Sequence, residues 1–433
     1  MSNKIIQLGP KDQFYLDELG APIVSGGLIA GILSLALAAG LGAAMHDGWR
    51  QFLFSYLTAW LLFFVISASS LFFVLCHHAF RASWSVVVRR LAEAMSCNFI
   101  PLLVLTLPLL LGFHKIFIWT HYNYVHSDPN LINKTSYLNV PFFMIRSVIY
   151  FAFLIGLSFY FRNMSVAQDQ DVGVSRLRRL QKQAGWGLLA VSWIMNFAGV
   201  DYVMSLQPKW LSYMEPGFFF AGVGMAVYAV LPLVAMWCQR KGKLTNSITT
   251  EHYHDLGKWL YGWAMFWAYI GFAQYMLIWY ANVPKETTFF LLRTVGPWMI
   301  IAIALLFGHF IAPFFGLMSR HVKRHKGLLA FWCLWLLFFA YLDLFWQVQP
   351  IVWINTHVGL TAAANEHDPY QLLGAVEKIV SNPLRPMSLV IDALCLVGIG
   401  GLWVAHTAYL LQRSALMPIR DPKLAEALVL ENM

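Results

Sequence analysis

Long apolar runs dominate this chain, and short polar segments separate them. A membrane-spanning helix needs about 20 mostly apolar residues. Inside such runs the hydrophobic period does not separate helix from strand, but their length favours helices. We therefore predict an all-α polytopic membrane protein with ten transmembrane helices, numbered spans 1 to 10. The predicted spans are residues 22–45, 51–76, 84–113, 141–162, 186–206, 216–238, 259–280, 289–316, 327–349 and 388–411.

The third run is the least uniform, because Arg89, Arg90 and Glu93 occupy its first turns. We predict that residues 84–95 are a helical extension in the membrane interface. Arginine and glutamate three or four residues apart on a helix commonly form a surface pair. A surface pair is therefore the simpler interpretation of these three residues.

The same polar sequence motif lies at the C-terminal end of two of the apolar runs. Residues 197–208 and 339–350 share the pattern Phe-Ala-x-Val/Leu-Asp-x5-Gln-Pro, and spans 4 and 8 open with similar segments that each contain an arginine. Polar residues in register are much stronger evidence of an internal repeat than apolar ones. The matched pairs are Arg146 with Arg293, Asp201 with Asp343, and Gln207 with Gln349.

The repeat divides the chain into two equivalent units. Spans 2–5 match spans 6–9, and a four-span unit returns to the side on which it starts, so the two units lie parallel. Spans 1 and 10 flank them. The predicted organisation is an N-terminal tail (1–21), a transmembrane domain (22–411) with a first bundle (51–206) and a second bundle (216–349), a long outer loop (350–387), and a C-terminal tail (412–433).

Composition and charge agree with a membrane protein. Hydrophobic residues make up 59% of the chain, charged residues 12%, and the mean hydropathy is +0.60, which excludes an ordinary soluble domain. With an even number of spans, both termini share a side with the loops that hold most Lys and Arg. The positive-inside rule assigns that side to the cytoplasm. The net charge of +9 is then a topological signal, not a nucleic-acid footprint. No cleavable signal peptide is expected, because the first 21 residues lack its short apolar core.

Asp201 and Asp343 are acids inside apolar runs, where a carboxyl group is costly and usually functional. Topology puts both near the outer ends of their spans, where Arg146 and Arg293 also begin spans 4 and 8. Two interpretations stay open. An Asp–Arg pair within each bundle could be a strut between helices, or the acids could relay protons. Gln207 and Gln349, each followed by proline, are candidates for structural pairing and for ending their helices.

A second polar set lies towards the cytoplasm. Its candidate proton-path residues are Glu93, His78, His309 and His406, and serines of span 2 accompany them. A proton path from this set to the outer acids is one hypothesis. Two histidines on facing helices can ligate haem b, but the repeat contains no matched histidines, so we expect no haem.

The five cysteines all lie in or beside spans and form no CxxC pair. Iron–sulfur clusters, structural zinc and covalent haem are therefore unsupported. We expect these cysteines to be small buried hydrophobic residues and expect no metal site.

Four segments carry a resemblance to a known family: Ser83–Glu93, Asp201–Trp210, Phe266–Thr287 and Asp343–Pro350. The third, FWAYIGFAQYMLIWYANVPKET, is the longest and most specific. Together they resemble the NrfD/polysulfide-reductase membrane subunits, most closely the second such subunit (the F subunit) of alternative complex III. That complex is a bacterial quinol:cytochrome c, or copper-protein, oxidoreductase. The resemblance covers spans 2 to 9.

The resemblance implies two four-helix bundles plus two helices in the bacterial inner membrane. It implies partners as well: membrane lipids, a paralogous NrfD-like subunit, periplasmic iron–sulfur and cytochrome c subunits, and a cytochrome c, copper protein or terminal oxidase as acceptor. Family quinol sites lie near the periplasmic face of the first bundle. Here that neighbourhood would involve His114, Arg146 and Asp201, with menaquinol or ubiquinol as a non-covalent ligand.

We therefore expect a membrane subunit of a respiratory oxidoreductase, without a redox centre of its own, that supports quinol oxidation and moves protons through buried acids. Two alternatives stay open. One is a quinol-binding anchor of a polysulfide reductase-like molybdenum or iron–sulfur enzyme. The other is a free-standing secondary transporter, which ten spans and a repeat also fit. Against the transporter, the broken mid-membrane helices of such sites are not evident in the sequence.

Overall fold

A computed structural model describes residues 12–45, 47–126, 128–170, 173–294, 296–352 and 386–431. These residues form helices joined by short turns, with no β-strand among them. In the described residues the predicted spans fall on helical backbone, apart from interruptions in spans 3 and 8. The predicted outer loop, 350–387, lies almost wholly outside the described residues. The helices are α1 Gly20–Ala44, α2 Arg50–Ala79, α3 Val86–Ser96, α4 Phe99–Val104, α5 Leu107–Leu111, α6 Phe113–Ile116, α7 Tyr122–His126, α8 Pro129–Lys134, α9 Val140–Gln168, α10 Val174–Tyr202, α11 Glu215–Arg240, α12 Thr250–Ala281, α13 Pro284–Thr294, α14 Pro297–Leu305, α15 Ala312–Met318, α16 Arg320–Arg324, α17 Lys326–Val348, α18 Pro386–Gln412 and α19 Leu424–Leu428.

Nine helical stretches in the described part of the chain are long and apolar enough to cross a membrane. This agrees with the predicted all-α, multi-pass membrane fold. The seventh predicted span lies in α12, which is 32 residues long but is not among the nine, because its membrane-length part, 259–280, contains four tryptophans, four tyrosines and Gln274, which lower its mean hydropathy.

Helix α2 is the centre of the molecule. Its apolar stretch is 94% buried, whereas that of α1 is 11% buried. A helix that is apolar on every side is covered either by lipid or by other helices, and for α2 the cover is other helices. Helices α3, α10, α11, α17 and α18 all pack on α2, so α2 contacts helices from both predicted bundles as well as α18.

Helices α1 and α18 pack closely through glycines. A Cβ atom added to Gly27 would lie 2.7 Å from the carbonyl oxygen of Gly401, and one added to Gly401 would lie 2.8 Å from the carbonyl oxygen of Gly27. Small residues let two membrane helices approach to backbone contact. The glycine-rich first span therefore binds the last span as a close helical pair.

Two predicted spans are interrupted, contrary to the expectation of unbroken helices. Span 3 consists of α3 to α6, because Pro101 and Pro108 lack the amide hydrogen that would continue the helical hydrogen-bond ladder. Span 8 breaks at Gly296, whose φ of 58° is readily adopted only by glycine. A π-helical turn, Leu306–Ile311, follows α14.

Both tails contact the same end of the molecule. In the N-terminal tail, the carboxylate of Asp12 accepts hydrogen bonds from the hydroxyls of Thr245 and Ser247 and from the backbone N–H of Asn246. The backbone N–H of Leu416 in the C-terminal tail donates to the carbonyl of Phe14 at 2.7 Å. The tails therefore meet each other and the loop between α11 and α12.

The five cysteines are free and buried, as predicted.

Candidate functional site

The first charged cluster joins α9 to the end of α10. Arg146 donates from Nε and Nη2 to the two carboxylate oxygens of Asp201, at 2.9 and 2.8 Å. Tyr150, one turn further along α9, donates its hydroxyl to Asp201 Oδ2 at 2.7 Å. Asp201 is fully buried and Arg146 is 7% exposed. The Asp–Arg pair expected in the first bundle is therefore present, as a bidentate, charge-assisted contact.

Aromatic rings complete the surroundings of Arg146. Its Cζ atom lies 3.8 Å from the centre of the Tyr137 ring and 4.3 Å from that of Phe142, within cation–π range. Its Nη1 donates to the backbone carbonyl of Tyr137 at 3.1 Å. Tyr137 precedes α9. Burial, followed by the Asp201 carboxylate, raises the pKa of its phenol. The Tyr137 phenol therefore stays neutral beside the Arg146–Asp201 ion pair.

An apolar cleft lies beside this pair. Its walls come from α2, α4 to α6, α9 and the end of α10, and the hydroxyl groups on them belong to Thr106, Ser147 and Tyr202. Tyr202 donates to Ser147 Oγ at 3.1 Å. These two residues directly follow Arg146 and Asp201 in the chain, so the ion pair and the hydroxyls occupy the same turns of the same helices.

His114, the third predicted quinol-site residue, stands apart from the ion pair. Its side chain is exposed, and its backbone carbonyl accepts a hydrogen bond from His121 Nε2 at 2.8 Å. Its neighbour Phe113 lines the apolar cleft. The structure thus brings Arg146 and Asp201 together and leaves His114 on the surface.

Arg293 occupies the matching position in the second bundle but has different partners. Its Nε and Nη2 donate to the backbone carbonyls of Trp346 and Gln347, at 3.1 and 2.6 Å. Carbonyls in the last turn of a helix lack intrahelical donors, and a cation there is favourable. Its Nη1 also donates to the Gln207 side chain at 3.2 Å. The expected pair of Arg293 with Asp343 is therefore wrong, because Arg293 caps α17 instead.

The second bundle buries two carboxyl groups that meet neutral donors. Asp343 Oδ2 accepts from Trp267 Nε1 at 3.2 Å and from Gln347 Nε2 at 3.0 Å. Glu215, the first residue of α11, accepts from Gln274 Nε2 at 2.9 Å. The remaining oxygens, Asp343 Oδ1 and Glu215 Oε1, have no partner within the described ranges. The sequence analysis did not identify Glu215 as a candidate, because it lies just before a predicted span.

His309 is stacked next to this pair. It belongs to the π-helical turn Leu306–Ile311, and its ring lies 3.9 Å from the Trp267 ring, nearly parallel to it. Its Nε2 lies 3.5 Å from the sulfur of Met225, while its Nδ1 has no hydrogen-bond partner among the described residues. Single π-helical turns are frequent at functional sites.

The inner charged cluster is buried, which contradicts the surface-pair interpretation. Arg90 donates from Nη1 and Nη2 to the two oxygens of Asp169, at 2.9 and 3.2 Å. Arg89 pairs with Asp421 of the C-terminal tail, and Glu93 lies 3.4 and 3.1 Å from Arg89 and Arg90. None of these three α3 residues is more than 2% exposed. Asp169 and Asp421 gave no sequence signal, because acids are ordinary in polar segments.

The other proton-path candidates lie in separate environments. His78 packs on the Phe161 ring at 5.6 Å, and its Nε2 has no hydrogen-bond partner in the described part of the chain. His406 Nδ1 lies 3.0 Å from Asn98 Oδ1. Within the described ranges, no hydrogen bond joins either histidine to the other or to His309.

A polar chain links the end of the second bundle to α2 and α18. Gln349 accepts from Gln51 Nε2 at 3.3 Å and donates to Asp392 Oδ1 at 3.2 Å. Gln349 is the C-cap residue of α17, and Gln207 follows the short 3₁₀ turn after α10, so both mark helix ends. Asp392 was missed, although an acid inside an apolar run is the same signal that identified Asp201.

Comparison with known proteins does not assign the chain to a family. No family model matches the chain, and no curated protein matches it in sequence. What the structure defines is a class, namely a helical, multi-pass membrane protein with buried ionisable groups.

Proposed function

We propose that this chain is an integral membrane subunit of a bacterial respiratory quinol:electron-acceptor oxidoreductase of the alternative complex III type. It supports quinol oxidation and proton movement without a redox centre of its own. The observation that carries the proposal is the apolar cleft beside the buried Arg146–Asp201 pair. Quinones bind in apolar clefts that offer a few polar groups.

The cleft offers a quinol headgroup suitable chemistry. Ser147 and Tyr202 supply hydroxyls that can donate to or accept from a quinol oxygen, and rings such as Trp60 and Phe143 line the remainder. The substrate class we propose is menaquinol or ubiquinol.

The architecture we propose is ten spans, with α12 as the seventh, in two parallel four-helix bundles flanked by α1 and α18. The matched places of Arg146 and Arg293 at the ends of their bundles support the repeat, even though their partners differ. The meeting of both tails at one end of the molecule supports an even number of spans. With the positive-inside rule, both termini are then cytoplasmic and the membrane is the bacterial inner membrane.

The proposed partners are membrane lipids, a paralogous NrfD-like subunit, periplasmic iron–sulfur and cytochrome c subunits, and a cytochrome c, copper protein or terminal oxidase as acceptor. The chain has surface for such contacts, because α1 buries little of its apolar stretch inside the molecule. Large exposed side chains such as Tyr269, Phe272 and Trp279 on α12 suit lipid or a membrane partner.

Purification of the native complex tests this function. We expect the tagged chain to retain c-type cytochrome and iron–sulfur subunits and to carry quinol:acceptor activity. A combined Ser147→Ala and Tyr202→Phe variant should keep its subunits and lose quinol turnover at least several-fold. Ser158→Ala is the matched control, because Ser158 lies on α9, is not part of the cleft wall, and donates to the helix carbonyl of Ile155. A stable protein that purifies without redox partners would overturn the proposal.

One observation favours the transporter alternative, since spans 3 and 8 are interrupted, as helices at transporter sites often are. The same purification separates the two functions. A transporter would be isolated alone and would move its solute in vesicles without any cytochrome.

A further inference from the structure

The second bundle contains two carboxyl groups, Glu215 and Asp343, without an ion-pair partner among the described residues. Glu215 is fully buried and Asp343 is 6% exposed. Each hydrogen bond they accept comes from a neutral group: Gln274 for Glu215, and Trp267 and Gln347 for Asp343. Two anions in such a place would each be costly. The two groups meet α12 two turns apart, at Gln274 and Trp267, and Asp343 is within electrostatic range of Glu215, so a charge on one disfavours a charge on the other.

Unpartnered polar atoms gather at these two groups. Asp343 Oδ1, Glu215 Oε1 and Gln347 Oε1 are all buried and without a hydrogen-bond partner in the described part of the chain. Gln347 is 1% exposed, so solvent at the surface does not satisfy it. Three such oxygens need a donor hydrogen, and a proton on a carboxyl group supplies one.

We propose that Glu215 and Asp343 form one proton-binding site that holds a single proton inside the second bundle. The site adds to the respiratory function proposed above, and it rests on that function only for its biological use. Binding takes one proton from solvent onto a carboxylate oxygen and forms an O–H bond. Release reverses that step, and no oxidant or reductant takes part.

The two carboxyl groups differ in how well they tolerate charge. Glu215 begins α11, where the helix N-terminus favours an anion, whereas Asp343 lies towards the C-terminal end of α17, where an anion is disfavoured. Arg293 is within electrostatic range of Glu215 but gives its hydrogen bonds elsewhere. The charge therefore resides on Glu215 and the proton on Asp343.

The neighbouring titratable group is His309, which reaches Asp343 through Trp267. The histidine ring stacks on the indole, and the indole Nε1 donates to Asp343 Oδ2. The π-helical turn that carries His309 packs on α12 and α17. The groups that face the site are then Arg293 on α13, His309 on the π-helical turn, Trp267 and Gln274 on α12, and Gln347 on α17.

The first bundle provides a natural comparison. Asp201 stands at the position that matches Asp343 in the repeat, but it holds a bidentate arginine and a tyrosine. A carboxylate with those partners is stabilised as an anion. The proton site therefore belongs to the second bundle, and Asp201 is the matched residue that should not carry a proton.

Infrared difference spectroscopy of the full chain tests the site directly. A protonated carboxyl group has a C=O stretching band separate from that of a carboxylate, and the band shifts in deuterium oxide. We expect Asp343→Asn to remove one such band at neutral pH. Glu215→Gln should shift the same band, because it removes the charged neighbour. Asp201→Asn is the control and should leave the band unchanged.

Each outcome decides the matter. If Asp343→Asn keeps every protonated-carboxyl band of the wild type, the proton site is overturned. If the band does not shift in Glu215→Gln, the pairing of the two carboxyl groups is overturned. Because Asp201→Asn could destabilise the fold, Tyr150→Phe serves as a second control, since it weakens the hydrogen bonding of Asp201 and leaves its arginine. The spectra need neither quinol nor partner subunits, so a failed respiratory function would not affect them.

Discussion

Replacing Arg146 by glutamine tests whether the first charged cluster is a structural strut. The variant removes the cation and leaves the fully buried Asp201 carboxylate with one remaining donor, the Tyr150 hydroxyl. Two charge-assisted hydrogen bonds of 2.8 and 2.9 Å are lost together. Removing one partner of a buried ion pair costs about 3–5 kcal/mol, because the other charge stays buried and uncompensated.

The double variant Arg146→Gln with Asp201→Asn separates this penalty from the loss of packing. With both charges gone, no buried charge is left unpaired, and a neutral amide pair can still exchange hydrogen bonds at about 0.5–1.5 kcal/mol each. We therefore expect the double variant to be more stable than Arg146→Gln by about 2 kcal/mol or more. Tyr150→Phe alone should cost about 1.5–3 kcal/mol, the value of a hydrogen bond to a charged group.

Unfolding in mixed detergent micelles, followed by helical circular dichroism, measures these differences. Arg178→Gln is the matched control, because Arg178 lies on α10 and is exposed, and it should change stability by less than about 0.5 kcal/mol. The strut interpretation fails if Arg146→Gln is as stable as the wild type, or if the double variant loses the sum of the two single losses.

Three further predictions address packing, the C-terminal tail and pH. Gly27→Leu should destabilise the α1–α18 contact by about 1–3 kcal/mol through overpacking, whereas Gly26→Leu, which meets nothing within 4 Å, should not; thermal unfolding compares the two. Asp421→Asn should release the C-terminal tail and speed tryptic cleavage there. The cost should be about 1–3 kcal/mol, because Arg89 loses its charge-assisted hydrogen bond and keeps only the longer contact with Glu93. The exposed Glu426→Gln serves as control. Although burial opposes it, hydrogen bonds from residues 245–247 hold the pKa of Asp12 below its ordinary value of 3.8. The contribution of Asp12 to stability is therefore complete above pH 3.8 and is lost as the pH falls through the lowered pKa. Amide exchange in residues 241–249 should become faster only in that low pH range, and Asp12→Asn should abolish this pH dependence.

The helices could be predicted from the sequence because each residue of an apolar run contributes to the same signal. Length alone decides for helix in a membrane, since the backbone must satisfy its own hydrogen bonds there. The interruptions of spans 3 and 8 could also have been predicted. Pro101 and Pro108 in span 3, and Gly296 with Pro297 in span 8, are residues that break helices for known reasons, and apolar content masked them.

The partners of the buried charges were not predictable in the same way. A repeat fixes which residues are equivalent, but the partner depends on helix rotation and on which segments meet in three dimensions. Asp421 reaches Arg89 across 332 positions of the chain, and no local pattern marks it. Asp169 lies in a polar turn, where an acid is expected for solubility alone. Such pairings depend on tertiary packing, which one sequence does not reveal.

The difference between the two matched arginines explains how one repeated phrase can serve two purposes. In the first bundle, Arg146 gives its hydrogen bonds to Asp201, so that carboxyl group is neutralised by a permanent charge. In the second, Arg293 donates to the last-turn carbonyls of α17, to the carbonyl of Phe289 and to Gln207, and none of these hydrogen bonds goes to Asp343. The carboxyl group deprived of its arginine needs another source of positive charge, and the smallest available one is a proton. Capping a helix with Arg293 therefore leaves Asp343 free to bind and release protons, whereas pairing Arg146 with Asp201 ties two helices together beside the apolar cleft.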